Sequence, residues 1–271
     1  MFKGIKKKMK VLSLFDGISC GRVALERAGI KVSRYVASEI EPYAKIISSK
    51  NWPEIEQVGD VSKLNFEEGE FDLILAGSPC QGFSKAGLRN AFDDERSKLY
   101  FEFLRIKEQV KPKWFLLENV RMLEEYKRRI DQDLWRTAVE INSRLVSAQN
   151  RERLYWTNIP FEMPEDKGIR LKHIVGDYSG IWVWPRGTNP GGIQHYNGAA
   201  PCITTSMWEY NFKLALLDGS IRQFTIAEME QLQTLPIGYT SGIPKTKRTK
   251  AIGNAWTVDV IAHILAELKN G

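Results

Sequence analysis

The sequence predicts an α/β fold in which a mixed, mostly parallel sheet is covered by helices and a smaller irregular domain is set late in the chain. Two patterns carry that expectation. Through the first 160 residues, short apolar runs alternate with amphipathic stretches, the signature of βαβ units. From Phe161 to about Ile221, glycine, proline and tryptophan accumulate, as in WVWPRGTNPGGIQHYNGAAP, and neither the strand nor the helix period holds.

Each element has its own justification. KVLSLF (10–15) reads as a buried strand, and DGISCGRVALERAG as a turn leading into a helix that ends at Gly29. RYVASE (34–39) is a second strand. The helix after it opens near Pro42, where the ring pre-sets a helical φ and the missing N–H costs nothing. FDLILAG (71–77) is a third strand. Ser97 is a candidate cap for KLYFEFLRIKEQV, which stops at Lys111-Pro112 because proline disfavours helical backbone in the residue before it. KWFLLENV (113–120) is again a buried strand with polar residues at its carboxyl end, and RERLYWTNIP (151–160) is the last strand expected. FTIAEMEQLQTL (224–235) and the stretch after Gly253 return to helical spacing. One domain of residues 1–160, completed by 222–271, and a second of 161–221 are therefore expected.

Bulk properties narrow the function. The 271 residues are 43% hydrophobic, enough to bury a real core. MFKGIKKKMK is followed by no apolar stretch of membrane length, so neither a signal peptide nor a membrane span is expected, and Lys6, Lys7 and Lys8 read as a solvated leader, with contact to phosphate or a membrane surface as the other reading. A net charge of +6 favours a polyanionic partner such as nucleic acid. Cys20, Cys80 and Cys202 are odd in number and far apart, which argues for a reducing compartment rather than a disulfide framework. With no CxxC, and with His173, His195 and His263 isolated, no metal site is expected.

In an open parallel sheet, ligands bind at the carboxyl ends of the strands. Here those ends read FDGISCG, SE, GSPCQGFS and ENV. FDGISCG offers Gly17 and Gly21 for close backbone approach but lacks the full GxGxxG pattern, which disfavours NAD or FAD. Glu39 ends the next strand, where an acid holds ribose hydroxyls, and Asp60 at GDV can accept from an adenine amino group. Each acid alone is also a common turn or cap residue; together they point to an adenosine-containing cofactor that is not a dinucleotide. Cys80 has two readings, an inert buried thiol or a thiolate activated in a polar loop after Pro79. Glu118 is either a satisfied strand-end group or a general acid kept protonated by burial. Arg151 and Arg153 alternate on a strand, which puts both guanidiniums on one face, either as ion-paired surface groups or as a grip on an anion or carbonyl.

FDGISCG, the SE pair, GDV, GSPCQGFS, ENV, QNRERLYW, FTIAEMEQLQTLP and AIGNAWTV occur in this order, and as a series they resemble the DNA cytosine carbon-5 methyltransferase family from residue 10 to the C-terminus. The short distance from ENV to QNRER and the tryptophan of AIGNAW are similar to the de novo branch of the eukaryotic enzymes; bacterial and phage members can be as compact.

The resemblance implies a Rossmann-like, S-adenosylmethionine-dependent methyltransferase sheet, with 161–221 as a small irregular target recognition domain. It implies that Cys80 adds to carbon 6 of a flipped cytosine, that Glu118 hydrogen-bonds or protonates N3, that Arg153 binds O2 and that Arg151 supports the site. Phe15, Asp16, Gly17 and Ile18 would surround the methionine and adenine of S-adenosylmethionine, Glu39 would take the ribose, and Asp60 with Val61 the adenine. Pro79, Leu99, Asn254 and Trp256 would complete that pocket, with S-adenosylhomocysteine as product. Core packing is the plain alternative for Phe15, Leu99 and Trp256.

Double-stranded DNA is the implied partner. Gln81 and Ser84 would meet it from a loop over Gln81–Arg96, together with Gln194, His195, Asn197, Thr204 and Thr205. Lys245, Lys247, Arg248 and Lys250 form a run suited to phosphate, whose other reading is a solvated loop. Trp182, Trp184 and Trp208 are expected in the core of the small domain. A monomer or weak homodimer is expected, cytoplasmic and nucleoid-associated if the source is prokaryotic or phage. An RNA-methylating branch has motifs that differ from QGFS, and an inactive DNA-binding relative should lack Cys80 or Glu118, which are both present.

Overall fold

The computed structural model describes residues 8–78, 98–185, 187–206 and 211–269. Contacts divide the chain into two compact units. The first holds Met1–Ile141, Glu152–Glu162 and Ile261–Gly271; the second holds Asn142–Arg151 and Met163–Val260.

The first unit is built on β1 (Met9–Leu14), β2 (Val32–Ser38), β3 (Glu56–Gln57), β4 (Leu73–Gly77), β5 (Trp114–Val120), β6 (Val139–Asn142) and β7 (Glu152–Thr157). These form one seven-stranded sheet in the order β3-β2-β1-β4-β5-β7-β6. β1 to β5 pair in parallel, and β7 runs antiparallel to β5. Val11, Leu12, Val36, Leu73, Ile74, Leu75 and Leu116 are fully buried, as in strands covered on both faces.

Helices α1 (Cys20–Arg27), α2 (Pro42–Asn51), α3 (Lys98–Val110) and α4 (Glu124–Leu134) flank the strands. α1 stops short of Gly29, which takes φ 67, a left-handed turn that costs glycine little. α3 buries Tyr100, Phe103, Ile106 and Val110, spaced by three and four, and these join Leu12, Ile74, Phe115, Leu117 and Trp156 in one core. Burying each such side chain is worth about 1.5–3 kcal/mol. Ser97, the expected cap, lies outside the described residues. α4 and β6 have no counterpart in the sequence reading. α4 (EEYKRRIDQDL) buries only Ile130 and Leu134, too thin an apolar stripe to stand out.

The second unit contains α5 (Lys172–Val175), β8 (Gly180–Val183), β9 (Gly192–Gln194), β10 (Lys213–Ala215), β11 (Ile221–Arg222), α6 (Ile226–Leu232) and α7 (Lys245–Asn254); α8 (Val258–Ala266) then carries the chain back to the first. Where irregular structure is expected, β11-β10-β8-β9 form an antiparallel sheet. Its strands are two to four residues long, too short to display a period.

Ile181 and Leu214 face a core shared with Leu171, Phe224, Met229, Leu232 and Ile252. Residues 222–260, expected with the first unit, pack with the second because those apolar side chains of α6 and α7 are buried there. Trp182 alternates with Ile181 and so lies on the other face, in register with Ile193 and Lys213. Trp184 is 36% exposed and meets Trp182 edge-on at 6.5 Å. Neither tryptophan is the core residue expected; Trp208 lies outside the described residues.

Candidate active site

The carboxyl ends of the parallel strands lie along one edge of the sheet. After β1 the chain turns through Phe15 (φ 57), Gly17 (φ 59) and Ser19 (φ 62). Two non-glycine residues in left-handed backbone is a strained arrangement that persists only where the surroundings over-determine it. Here they do. Asp16 N–H donates to the Ser38 carbonyl at 3.0 Å. The Asp16 carboxylate accepts from Ser19 Oγ at 2.5 Å and from the Tyr35 hydroxyl at 2.8 Å. Ser19 Oγ lies 2.6 Å from Ser48 Oγ, to which Gln57 Nε2 donates at 2.9 Å. Burial raises the Asp16 pKa to about 6; the Ser19 and Tyr35 hydroxyls pull it down, and the charge of Glu39 pushes it further up.

Glu39 follows the end of β2 and ties it to that turn. Its Oε2 accepts from Gly17 N–H at 2.7 Å, and its Oε1 from the N–H groups of Ile40 and Glu41 at 2.7 and 2.8 Å. Among the described residues a Cβ on Gly17 would meet nothing within 4 Å, so on their side the turn is open. Asp60 Oδ1 accepts from Ser62 N and Oγ, hydrogen bonds that lower its pKa, while Oδ2 has no partner among the described residues. An open glycine turn, a carboxylate with lone pairs to spare and an unengaged acceptor fit the donor pattern of an adenosine group. Ile18 and Val61 are buried, and Phe15 and Leu99 pack partly buried against the core. Asn254 and Trp256 are in the second unit, exposed and half-buried respectively.

At the next two strand ends, Gly77 of β4 is paired with Glu118 of β5. Glu118 is 7% exposed, and Arg153 Nε of β7 lies 3.1 Å from its Oε1. Asn119 Nδ2 donates to Ser78 Oγ at 2.9 Å, linking the two strand ends. Cys80 follows two residues after Ser78. Cys80, Pro79, Gln81 and Ser84 lie outside the described residues. The two arginines have separate partners. Arg151 is buried and donates to the carbonyls of Ile203 (3.1 Å), Gly253 (3.3 Å) and Ala255 (2.9 Å) and to Cys202 Sγ (3.3 Å).

Other expected DNA contacts fall in the second unit. Thr204 and Thr205 are exposed, as are His195 and Asn197, and Asn197 has φ 51. Gln194 engages its amide locally, with Asn189 at 2.7 Å and Tyr196 at 2.9 Å. The basic run is not a loop but α7. Thr249, Ala251 and Ile252 anchor one side of this helix, and Lys245 and Lys247 are exposed. Buried Glu230 accepts from Gly238 N (2.6 Å), Thr240 N (2.8 Å) and Arg248 (3.2 Å), fixing α7 to the preceding loop.

Residues 9–164 and 183–270 match the sequence profile of C-5 cytosine-specific DNA methylases. The chain belongs to this family. Among its relatives, the orphan methyltransferase M.SPRI of Bacillus phage SPR is 36% identical over 168 residues, 55% of this chain and 37% of that one. The chain thus spans well under half the length of that relative. The type II methyltransferase M.NgoBI of Neisseria gonorrhoeae is 28% identical over 93% of this chain and 90% of its own. The solved structure of the Entamoeba histolytica methyltransferase EhMeth superposes with a TM-score of 0.73 at 16% identity, covering 98% of this chain and 99% of that chain. The fold is accordingly that of the S-adenosylmethionine-dependent methyltransferases, a mostly parallel mixed sheet with a small antiparallel sheet in the second unit.

In this methylase-family chain, several site-building residues have no role in the sequence reading. Ser19 sits within FDGISCG and Gln149 opens QNRER, so both are inside recognisable blocks. Tyr35 and Gln233 could be found only by tertiary contact, with partners 19 and 84 residues away. Among the described residues no helix is long and apolar enough to cross a membrane, and no group of three or more His, Cys, Asp or Glu is placed to hold a metal.

Proposed function

We propose that the protein transfers a methyl group from S-adenosylmethionine to carbon 5 of cytosine in double-stranded DNA. The observation that supports this reading is the pairing of buried Glu118 with partly buried Arg153, one strand across from the end that leads into GSPCQGFS. S-adenosylmethionine supplies an electrophilic methyl on a sulfonium. Cytosine carbon 5 is a poor nucleophile, so Cys80 thiolate adds to carbon 6 and the displaced electron pair makes carbon 5 carbanion-like. Glu118 hydrogen-bonds or protonates N3, absorbing charge pushed into the ring, while Arg153 holds O2 and orients Glu118. Once carbon 5 has taken the methyl, its proton leaves to solvent, the thiolate is expelled and the ring double bond returns. Carbon 6 is unreachable inside a duplex, so the target base must leave the stack.

Asp16, Gly17, Glu39, Asp60 and Val61 bind the methyl donor in this reading, with Phe15, Ile18, Pro79, Leu99, Asn254 and Trp256. Thr204, Thr205, His195, Asn197, Gln194, Lys245 and Lys247 meet DNA from the second unit, and Gln81 and Ser84 from the loop after Cys80. If the source is prokaryotic or phage, the protein works beside the DNA in the cytoplasm, as a monomer or weak homodimer. Duplex DNA and RNA are each incubated with protein and methyl donor, then sequenced after bisulfite treatment. Protected cytosines in DNA are expected; protection in RNA alone, or in neither by folded protein, would overturn the reading. Cys80→Ser should abolish transfer, and activity surviving that change would refute the covalent step.

A further inference from the structure

Gln149 and Gln233 are fully buried in the second unit, and neither takes part in the chemistry above. Their side chains join, Gln149 Nε2 to Gln233 Oε1 at 3.2 Å. Gln149 Oε1 accepts at 2.8 Å from the N–H of Ile203, the residue before Thr204. Gln233 Nε2 donates to the carbonyls of Ile252 at 2.9 Å and Ala255 at 3.1 Å, which bracket Gly253 and Asn254. Arg151 makes the same connection a second time, from the Ile203 carbonyl to those of Gly253 and Ala255. Thr257 Oγ1 donates to Gln233 Oε1 at 3.0 Å and receives from Ser143 Oγ at 2.8 Å.

The backbones themselves also touch. A Cβ on Gly253 would stand 2.4 Å from the Thr204 carbonyl and from Thr205 N, so the chain at 204–205 rests on α7 with no side chain between. Exposed Thr204 follows Ile203 and exposed Asn254 follows Gly253, so one buried network holds the backbone beside each of them. Satisfied networks of this kind are stiff, because each broken bond leaves a buried polar group without a partner.

We propose that Gln149 and Gln233 are positioning residues that hold the DNA-facing threonines and the cofactor-facing Asn254 in a single register, so that occupancy of one end is felt at the other. This rests on the functional reading above. By linkage the effect is reciprocal, each ligand tightening the other by the same factor.

The test measures affinity for a short DNA duplex with and without S-adenosylhomocysteine at fixed salt, and the converse. For the wild type, mutual tightening of about fivefold or more is expected. Gln149→Leu and Gln233→Leu keep the volume but remove their share of the bonds, and should lower that factor by about half or more while each ligand alone binds within about threefold of wild type. A purely structural role would weaken both single affinities and leave the coupling factor intact. A wild-type factor near one overturns the proposal whatever the variants do, as does an unchanged factor in folded variants. DNA methylation without coupling sinks this proposal alone, whereas a wild type that neither binds DNA nor methylates it removes the functional reading as well.

Discussion

Asp16→Asn replaces a buried carboxyl that the fold holds out of its ordinary range. The native pKa stands at about 6 against 3.8 for the free group. A native pKa above the unfolded one means that the folded protein binds the proton more tightly. Stability from this group is therefore fully present below the unfolded pKa and is lost as pH rises through about 6. The gap is worth about 3 kcal/mol at about 1.4 kcal/mol per pH unit.

Asparagine carries no charge, so this loss disappears in the variant. Its Oδ1 can keep the Tyr35 hydroxyl and its Nδ2 can donate to Ser19 Oγ, which then donates to Ser48 Oγ. The variant's stability relative to wild type should rise by about 2 kcal/mol between about pH 4 and about pH 8. Urea unfolding of both proteins across that range reads the difference, since the titrating groups other than Glu39, whose charge acts on Asp16, cancel. An offset that does not change with pH would refute the reasoning, because Asp16 would then titrate alike in the folded and unfolded chains.

Other outcomes follow from the same geometry. Glu118→Gln leaves Arg153 beside a neutral amide and should slow methyl transfer by about 10²-fold or more with methyl-donor affinity nearly unchanged, read in single-turnover assays. Gly253→Ala puts a methyl into the Thr204 backbone, which cannot move aside; a melting experiment should register a loss of about 1–3 kcal/mol. Lys245→Ala with Lys247→Ala should make the slope of log affinity for DNA against log salt shallower by about two, while an unchanged slope would remove both lysines from the phosphate contacts.

In the first unit β1, β2, β4, β5 and β7 were legible because each is a short apolar run ended by glycine or a polar group, whereas β3 and β6 are too short and too polar to stand out. LILAG and WFLLENV needed no tertiary information to be recognised as buried. The strand-end acids were legible for the same reason, since Glu39 and Glu118 interrupt otherwise apolar sequence. What escaped was whatever depends on partners distant in the chain. Ile181 and Trp182 look alike in sequence, yet alternate between a buried and a half-exposed face in a strand of four residues. KTKRTK reads as a solvated run because its only buried residue, Thr249, is polar, and the apolar anchors Ala251 and Ile252 come after it, in the last turn of the helix. The partnership of Arg153 with Glu118 arises from antiparallel pairing of β7 with β5, a register that neither strand encodes alone.

The chain passes between its two units four times, and the ten-residue segment Asn142–Arg151 belongs to the second unit although sequence on both sides of it belongs to the first. That interleaving bears on inheritance. A recognition segment exchanged between relatives would enter near Met163 and leave near Val260. It would nevertheless have to accept Gln149 and Arg151 from the recipient chain. A graft that varies the exposed surface but keeps Ile203, Gln233 and the Gly253–Ala255 carbonyls in place can be received; one that alters them arrives with its internal bonds unmatched. On the function proposed above, a segment carrying a new specificity would have to leave this inner frame untouched.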